Sequence, residues 1–208
     1  MVNIGDKRFT ARNGAVPLGR MLTLIECPNT SLRYLILDCP TESTLDYYVE
    51  QFGQYDVDAV VRCCEPTYSA ARLTELGIDV IDLPFKDGSA PPPQVVREWL
   101  TLVERTRAKD PTPTIAVHCV AGLGRAPVLV AIALIEMGMK PLDAIEYIRG
   151  KRRGAFNKVQ IAYLDTYKRM LKSKSSSSNY SFRTSLGRMF RIGSKNSSNG
   201  NATVQQQT

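Results

Sequence analysis

Residues 114–136 read TIAVHCVAGLGRAPVLVAIALIE, and the order of residue types in this stretch decides the fold. TIAVHC (114–119) is short, apolar and rich in β-branched residues, as a parallel strand buried on both faces tends to be. APVLVAIALIEMG, starting at Ala126, is apolar almost all round and predicts a central helix with no face left to water. The link between them contains Gly122 and Gly124 and ends in Arg125.

Outward from this unit the same alternation recurs. MLTLIE (21–26) and YLILD (34–38) predict short strands around the turn-forming CPNTS. STLDYYVEQFGQY opens with Ser43 as a helix N-cap and repeats apolar residues at helical spacing through Phe52. DAVVRCC (58–64) and IDVIDLPF (78–85) read as buried parallel strands, and SAARLTELG between them as a helix closed by Gly77. PPPQVVREWLTLVERTRA carries its prolines where a helix start tolerates them, then sets Val95, Trp99, Leu102 and Val103 on one side. PLDAIEYIRG and NKVQIAYLDTYKRML add two amphipathic helices. Strands alternating with helices predict an α/β fold with a central, mostly parallel sheet flanked by helices on both faces.

At 208 residues and 43% hydrophobic, the chain suits one domain with an appendage. The predicted division is an N-terminal extension (1–19), a domain (20–171) and a disordered Ser/Asn-rich tail (172–208). The tail holds Lys172, Lys174, Arg183, Arg188, Arg191 and Lys195 without an acidic residue, so it carries nearly all of the net +7. The domain itself is close to neutral, and no nucleic-acid partner is expected. Within the tail, YSFRTSLGRMFRI gathers Phe182, Leu186, Met189 and Phe190 at helical spacing, a segment suited to weak contact with an anionic membrane. No run is long and apolar enough for a signal peptide or a membrane span. Cysteines 27, 39, 63, 64 and 119 lack disulfide-framework spacing, so a reducing, cytoplasmic setting is expected. With no Cys-x-x-Cys pair and a single histidine, neither a metal site nor a cofactor is expected.

The chemistry concentrates at Cys119. Glycines at 122 and 124 let successive backbone N–H groups turn inward around one anion, and the following helix points its positive end at the same place. That field favours a thiolate at Cys119. Five residues separate Cys119 from Arg125, so Val120, Ala121, Gly122, Leu123, Gly124 and Arg125 can close into a phosphate-binding loop. There the Arg125 guanidinium takes two phosphoryl oxygens. Transfer to sulfur requires an acid for the leaving oxygen, and the candidate is Asp87, in the Pro/Gly-rich loop LPFKDGSAPPP after a strand. His118 is expected to support the loop as a core residue with satisfied hydrogen bonds.

HCVAGLGRAPVLVAIALIE, KRRGAFN, VVRCCEPTY and LPFKDG together resemble the phosphatases of regenerating liver, the type IVA protein tyrosine phosphatases, within the cysteine-dependent dual-specificity superfamily. The resemblance runs from about residue 20 to 171. It implies the cysteine-phosphatase fold, with Cys119 as nucleophile, Arg125 as phosphate ligand and Asp87 as general acid. The substrate it implies is a phosphotyrosine protein. A phosphoinositide is a less favoured alternative, because Val120, Ala121 and Leu123 put no lysine in the loop. Ala126, where most relatives carry serine or threonine, implies slow release of a phosphocysteine.

The resemblance also implies a disulfide between Cys64 and Cys119. It implies binding of cyclin-M magnesium transport mediators, whose CBS domain offers an acidic loop to the pocket, with Arg153 and Phe85 as contacts. Phosphorylation or oxidation of Cys119 would gate that binding. Leu83 and Lys86 depart from the family's tryptophan and aspartate. No cysteine follows Cys119, so the family's prenylation box is not expected here, and any placement at the inner face of the plasma membrane or endosomes is peripheral.

Overall fold

β-Branched and aliphatic residues without a polar face drive strand pairing on both edges of residues 114–118. The computed structural model describes residues 22–28, 30–109 and 111–171. β1 (Thr23–Glu26) and β2 (Arg33–Leu37) pair antiparallel. β2 then runs parallel to β5 (Thr114–His118), β5 to β3 (Val57–Arg62), and β3 to β4 (Asp79–Asp82). The resulting order is β1-β2-β5-β3-β4, the mostly parallel sheet expected from the sequence. In this register Leu37 and Arg62 both stand opposite His118, so three strands end side by side just before Cys119.

Strand alternation sorts the core into two layers. Tyr34, Ile36, Ala59, Val61, Ile115 and Val117 face α3 (Pro93–Arg107), α4 (Arg125–Glu136), α5 (Pro141–Lys151) and α6 (Lys158–Asp165). Leu35, Leu37, Val60 and Ala116 face α1 (Leu45–Gln54) and α2 (Ala71–Glu75). Every residue of α4 is buried, as its apolar composition predicted. Trp99 Nε1 donates to the Leu129 carbonyl at 2.7 Å, giving the buried indole its partner and fixing α3 against α4.

Several boundaries differ from the sequence reading. Ser43 does not cap α1. A 3-10 turn (Glu42–Thr44) precedes that helix, and Thr41 supplies the capping box. β3 stops at Arg62, so Cys63 and Cys64 lie just past it; their side chains still diverge, Cys63 into the core beside Cys119 and Cys64 toward Cys39. α4 begins at Arg125, one residue early. The last helix ends at Asp165, although apolar spacing continues to Leu171.

The reason for that last difference is Glu136, at the end of α4 and 3% exposed. Its carboxylate accepts from Tyr167 Oη (2.7 Å) and from the main-chain N–H groups of Met170 (2.6 Å) and Leu171 (3.0 Å). A buried acceptor for two backbone donors competes successfully with another helical turn. Burial and the same carboxylate push the Tyr167 hydroxyl above its ordinary pKa. Among the described residues no helix is long and apolar enough to cross a membrane. The 1–19 extension and the 172–208 tail, for which apolar spacing over Phe182–Phe190 and weak membrane contact were expected, lie outside the described residues. Replacing Glu136 with Ala is expected to lower stability by about 2–3 kcal/mol, since two backbone donors and a phenol lose their acceptor; urea denaturation of the two chains measures it.

Candidate active site

The chain leaves β5 at His118 and enters α4 at Arg125, with Cys119 buried (3% exposed) at the base of the turn. Curling this turn around an anion requires its carbonyls to point away, and each of four has a donor waiting. Arg152 Nε donates to Gly122 O at 2.5 Å and its Nη2 to Ala121 O at 3.1 Å. The Phe156 N–H donates to Leu123 O at 2.8 Å. On the other side, the Cys39 N–H donates to Val120 O at 2.9 Å. With these carbonyls turned outward, the loop's own N–H groups are left to the interior.

Gly122 sits at φ +65°, and a Cβ there would collide with Arg152 Nη2 and the Leu37 carbonyl, so glycine is obligatory. Arg152 is 1% exposed, and its Nη1 also donates to Thr23 Oγ1 at 3.0 Å. Burial draws its pKa down from the usual arginine value, while Asp38 and Cys119 act in the opposite direction.

Arg125 is nearly buried and faces the same space. Its Nη1 donates to the carbonyls of Cys63 (3.1 Å) and Phe85 (3.3 Å), tying the loop to β3 and to the segment that carries Asp87. Its buried Nε has no hydrogen-bond acceptor. Asp87 Oδ1 lies 3.1 Å from that nitrogen as an ion pair, but out of line for a hydrogen bond, on a carboxylate that is 77% exposed. An exposed partner of this kind adds little stability. A buried donor aimed into a cleft is instead what an incoming anionic oxygen would satisfy.

The cleft measures about 310 Å³ and is lined by the loop together with Asp87, Gly88, Phe156, Asn157 and Gln160. Asn157 begins α6 with a capping box to Gln160. Its Nδ2 donates to Gly88 O at 2.9 Å, so the cap also holds the loop that carries Asp87. Val120 (62% exposed) and Leu123 (36%) make an apolar rim. Ala126 is fully buried in the first turn of α4 and brings no hydroxyl there.

Of the residues chosen from sequence, Cys119, Val120, Ala121, Leu123, Gly124 and Asp87 line one cleft, while Gly122 turns its carbonyl to Arg152 and Arg125 ties the loop to the Cys63 and Phe85 carbonyls. Phe85 does not offer its ring to a partner. The side chain is 8% exposed within the core, because the chain passes under the cleft there and presents its carbonyl to Arg125. Arg153 is exposed beside cleft-lining Gly154.

His118 is fully buried, with Nε2 2.9 Å from Tyr68 Oη and Nδ1 3.3 Å from Cys119 O, the supporting role expected. Tyr68 is itself held by Arg62, whose Nη1 donates to its carbonyl at 2.7 Å and which forms a bidentate pair with Asp82. Burial raises the Cys63 thiol well above its ordinary pKa, so it stays protonated although it shares the core with Cys119. The sulfur in contact with Cys64 is that of Cys39, at 3.8 Å. The hydrogen bond between them draws Cys39 toward the thiolate and holds Cys64 as the thiol.

Three contributors escaped the sequence reading. The Asn157–Gln160 capping box was visible as Asn-x-x-Gln ahead of an apolar run. Arg152 sits in the quoted KRRGAFN, but nothing local tells it from Lys151 or Arg153. Cys39 carried no signal at all.

A family model described as "Polymorphic toxin system, DSP-PTPase phosphatase" matches residues 37–139. The chain is 52% identical over 141 residues to a type IVA A protein tyrosine phosphatase of Dictyostelium discoideum, covering 68% of this chain and 85% of that one. It is 51% identical over 144 residues to human protein tyrosine phosphatase type IVA 3, covering 69% and 83%. A solved protein tyrosine phosphatase from Leishmania major superposes with a TM-score of 0.64 at 44% identity, covering 71% of this chain and 99% of that one.

Replacing Arg152 with Lys keeps the charge but removes the fork that reaches two carbonyls. Loop displacement is expected to lower kcat/KM for an aryl phosphate by about 10–100-fold, with the far-ultraviolet circular dichroism spectrum unchanged. Steady-state kinetics on the purified variant checks it.

Proposed function

The chain belongs to the type IVA protein tyrosine phosphatases, and from that premise we propose a low-turnover phosphatase working through a phosphocysteine on Cys119. The observation that carries the reading is the acceptor-less Arg125 Nε beside Asp87 in a loop whose carbonyls are drawn away from Cys119. A dianionic phosphoryl group competes with one carboxylate for that guanidinium. Its oxygens take Nε and the loop N–H groups, and Asp87, released from the ion pair, takes a proton from solvent and turns toward the leaving oxygen.

The Cys119 thiolate then attacks phosphorus. An S–P bond forms, the P–O bond to the tyrosine ring breaks, and the protonated Asp87 carboxyl gives its proton to the phenolate oxygen. In the second step a water attacks phosphorus, Asp87 accepts its proton, and the S–P bond breaks to return the thiolate. A hydroxyl at residue 126 would donate to the leaving sulfur. Ala126 has none, so this step limits turnover. The apolar rim of Val120 and Leu123 suits an aromatic phosphoester approaching the cleft.

The second reading uses the same cleft for docking. Exposure of Arg153 next to cleft-lining Gly154 supports a contact with the acidic loop of a cyclin-M magnesium transport mediator. A phosphoryl group on Cys119 would fill the cleft and block docking. Oxidation blocks it too: peroxide converts the Cys119 thiolate to a sulfenic acid, which condenses with the Cys64 thiol to a disulfide and water.

Rapid mixing with an aryl phosphate tests the chemistry. A near-stoichiometric burst followed by slow turnover is expected, with quenched protein gaining the mass of one phosphoryl group. Neither is expected in Cys119→Ser. Asp87→Asn is expected to slow the burst by about 10²–10⁴-fold. Ala126→Ser is expected to raise steady turnover while reducing accumulated phosphocysteine. Absence of both burst and adduct in the reduced chain would overturn the catalytic reading.

A further inference from the structure

We propose that Cys39, Cys64 and His118 bind a single divalent cation of the zinc class, at a site under the phosphate loop that does not use the nucleophile. Each donor comes from a different one of three neighbouring strands. Cys39 lies two residues beyond β2, His118 is the last residue of β5, and Cys64 lies two residues beyond β3. The parallel order β2-β5-β3 sets those ends side by side, and one ligand atom from each lies within 4.8 Å of the other two.

The spacing suits zinc. The two sulfurs are 3.8 Å apart. Two thiolates bound tetrahedrally, each about 2.3 Å from the ion, stand about 3.8 Å from one another. The group offers two thiols and one imidazole and contains no carboxylate. That set suits zinc and its soft neighbours and is unsuited to magnesium or calcium, which require oxygen ligands. Three protein ligands leave a fourth position for water.

Access and support are both present. Cys39 is partly exposed and gives a route in from solvent, while Cys64 (6% exposed) and His118 (0%) form the floor. Thr67 Oγ1 lies 3.1 Å from Cys39 Sγ and donates to Pro40 O at 2.6 Å, steadying that sulfur. The His118 ring is held at both nitrogens, by Tyr68 Oη and by the Cys119 carbonyl. A cation takes one nitrogen in exchange for one of these bonds. The bond that remains orients the ring, as outer partners of metal-bound histidines do.

Occupancy has a consequence for the nucleophile, which rests on the oxidation reading above. A Cys64 sulfur bound to the ion cannot also close a disulfide with Cys119, so metal and disulfide exclude each other.

The test uses the full chain, reduced and then freed of reductant and metal, titrated with Co2+ and separately with Zn2+ against a chromophoric chelator. One ion per chain and a thiolate-to-cobalt charge-transfer band are expected. Cys119→Ser should retain both, whatever becomes of its catalysis. Cys39→Ser changes a partly exposed side chain and should lose the band and weaken Zn2+ by more than about 10-fold. Zn2+ should raise the melting temperature of the wild-type and Cys119→Ser chains and leave that of Cys39→Ser unmoved, which separates lost binding from lost folding. Binding abolished by Cys119→Ser, binding undisturbed by Cys39→Ser, or a wild-type chain without the band overturns the proposal.

Discussion

The fork of Arg152 on the Ala121 and Gly122 carbonyls is the contact on which the rest of the site depends. A loop that presents N–H groups to an anion must send its carbonyls elsewhere, and buried carbonyls without donors are costly. Here a guanidinium from the end of α5 and the Phe156 N–H meet three of them in sequence. Gly122 makes the approach possible, since any side chain there would occupy the place of Arg152. KRRGAFN therefore shapes the phosphate loop from behind, while its exposed Arg153 remains at the surface.

A second guanidinium does for the Asp87 segment what Arg152 does for the loop after Cys119. Arg125 spends one nitrogen on the carbonyls of Cys63 and Phe85 and keeps its Nε toward the cleft. A buried charge is tolerable only when hydrogen-bonded, and here those bonds also fix the distance between Cys119's loop and Asp87's segment. Asn157 closes the same arrangement from α6 by holding Gly88. The cleft thus rests on rigid elements at several points, although Asp87 itself stays largely exposed on its loop.

The sheet explains why so much converges in one place. Chemistry in open parallel sheets gathers beyond the carboxyl ends of the strands. Here β2, β5 and β3 end level with one another, because Leu37 and Arg62 both stand opposite His118. One side of that edge carries Cys119 and the phosphate loop. The other carries Cys39, Cys64 and the Asp82–Arg62–Tyr68–His118 chain of contacts. His118 joins the two, since its ring touches one group and its backbone leads into Cys119.

The strand–loop–helix unit at 114–136, the helices on both faces and the placement of Cys119 and Arg125 at the two ends of the loop were legible from residue order, because they depend on local pattern: an apolar strand, glycines where the chain must curl, an all-apolar helix. Features made by residues distant in sequence were not. Glu136 ends the last helix by accepting backbone donors more than thirty residues away, against a pattern that argued for another turn. Arg152 looked like its solvated neighbours because only the fold directs one of three adjacent cations inward. Read along the chain, a single histidine and no Cys-x-x-Cys pair argued against a metal, and nothing linked Cys39, Cys64 and His118. Parallel pairing, which joins strands through long crossovers, brings them within reach of one ion. The sequence determined the phosphate loop through local backbone geometry, whereas the tertiary structure decided what supports it and what lies beneath it, because those contacts exist only once strand order and register are set.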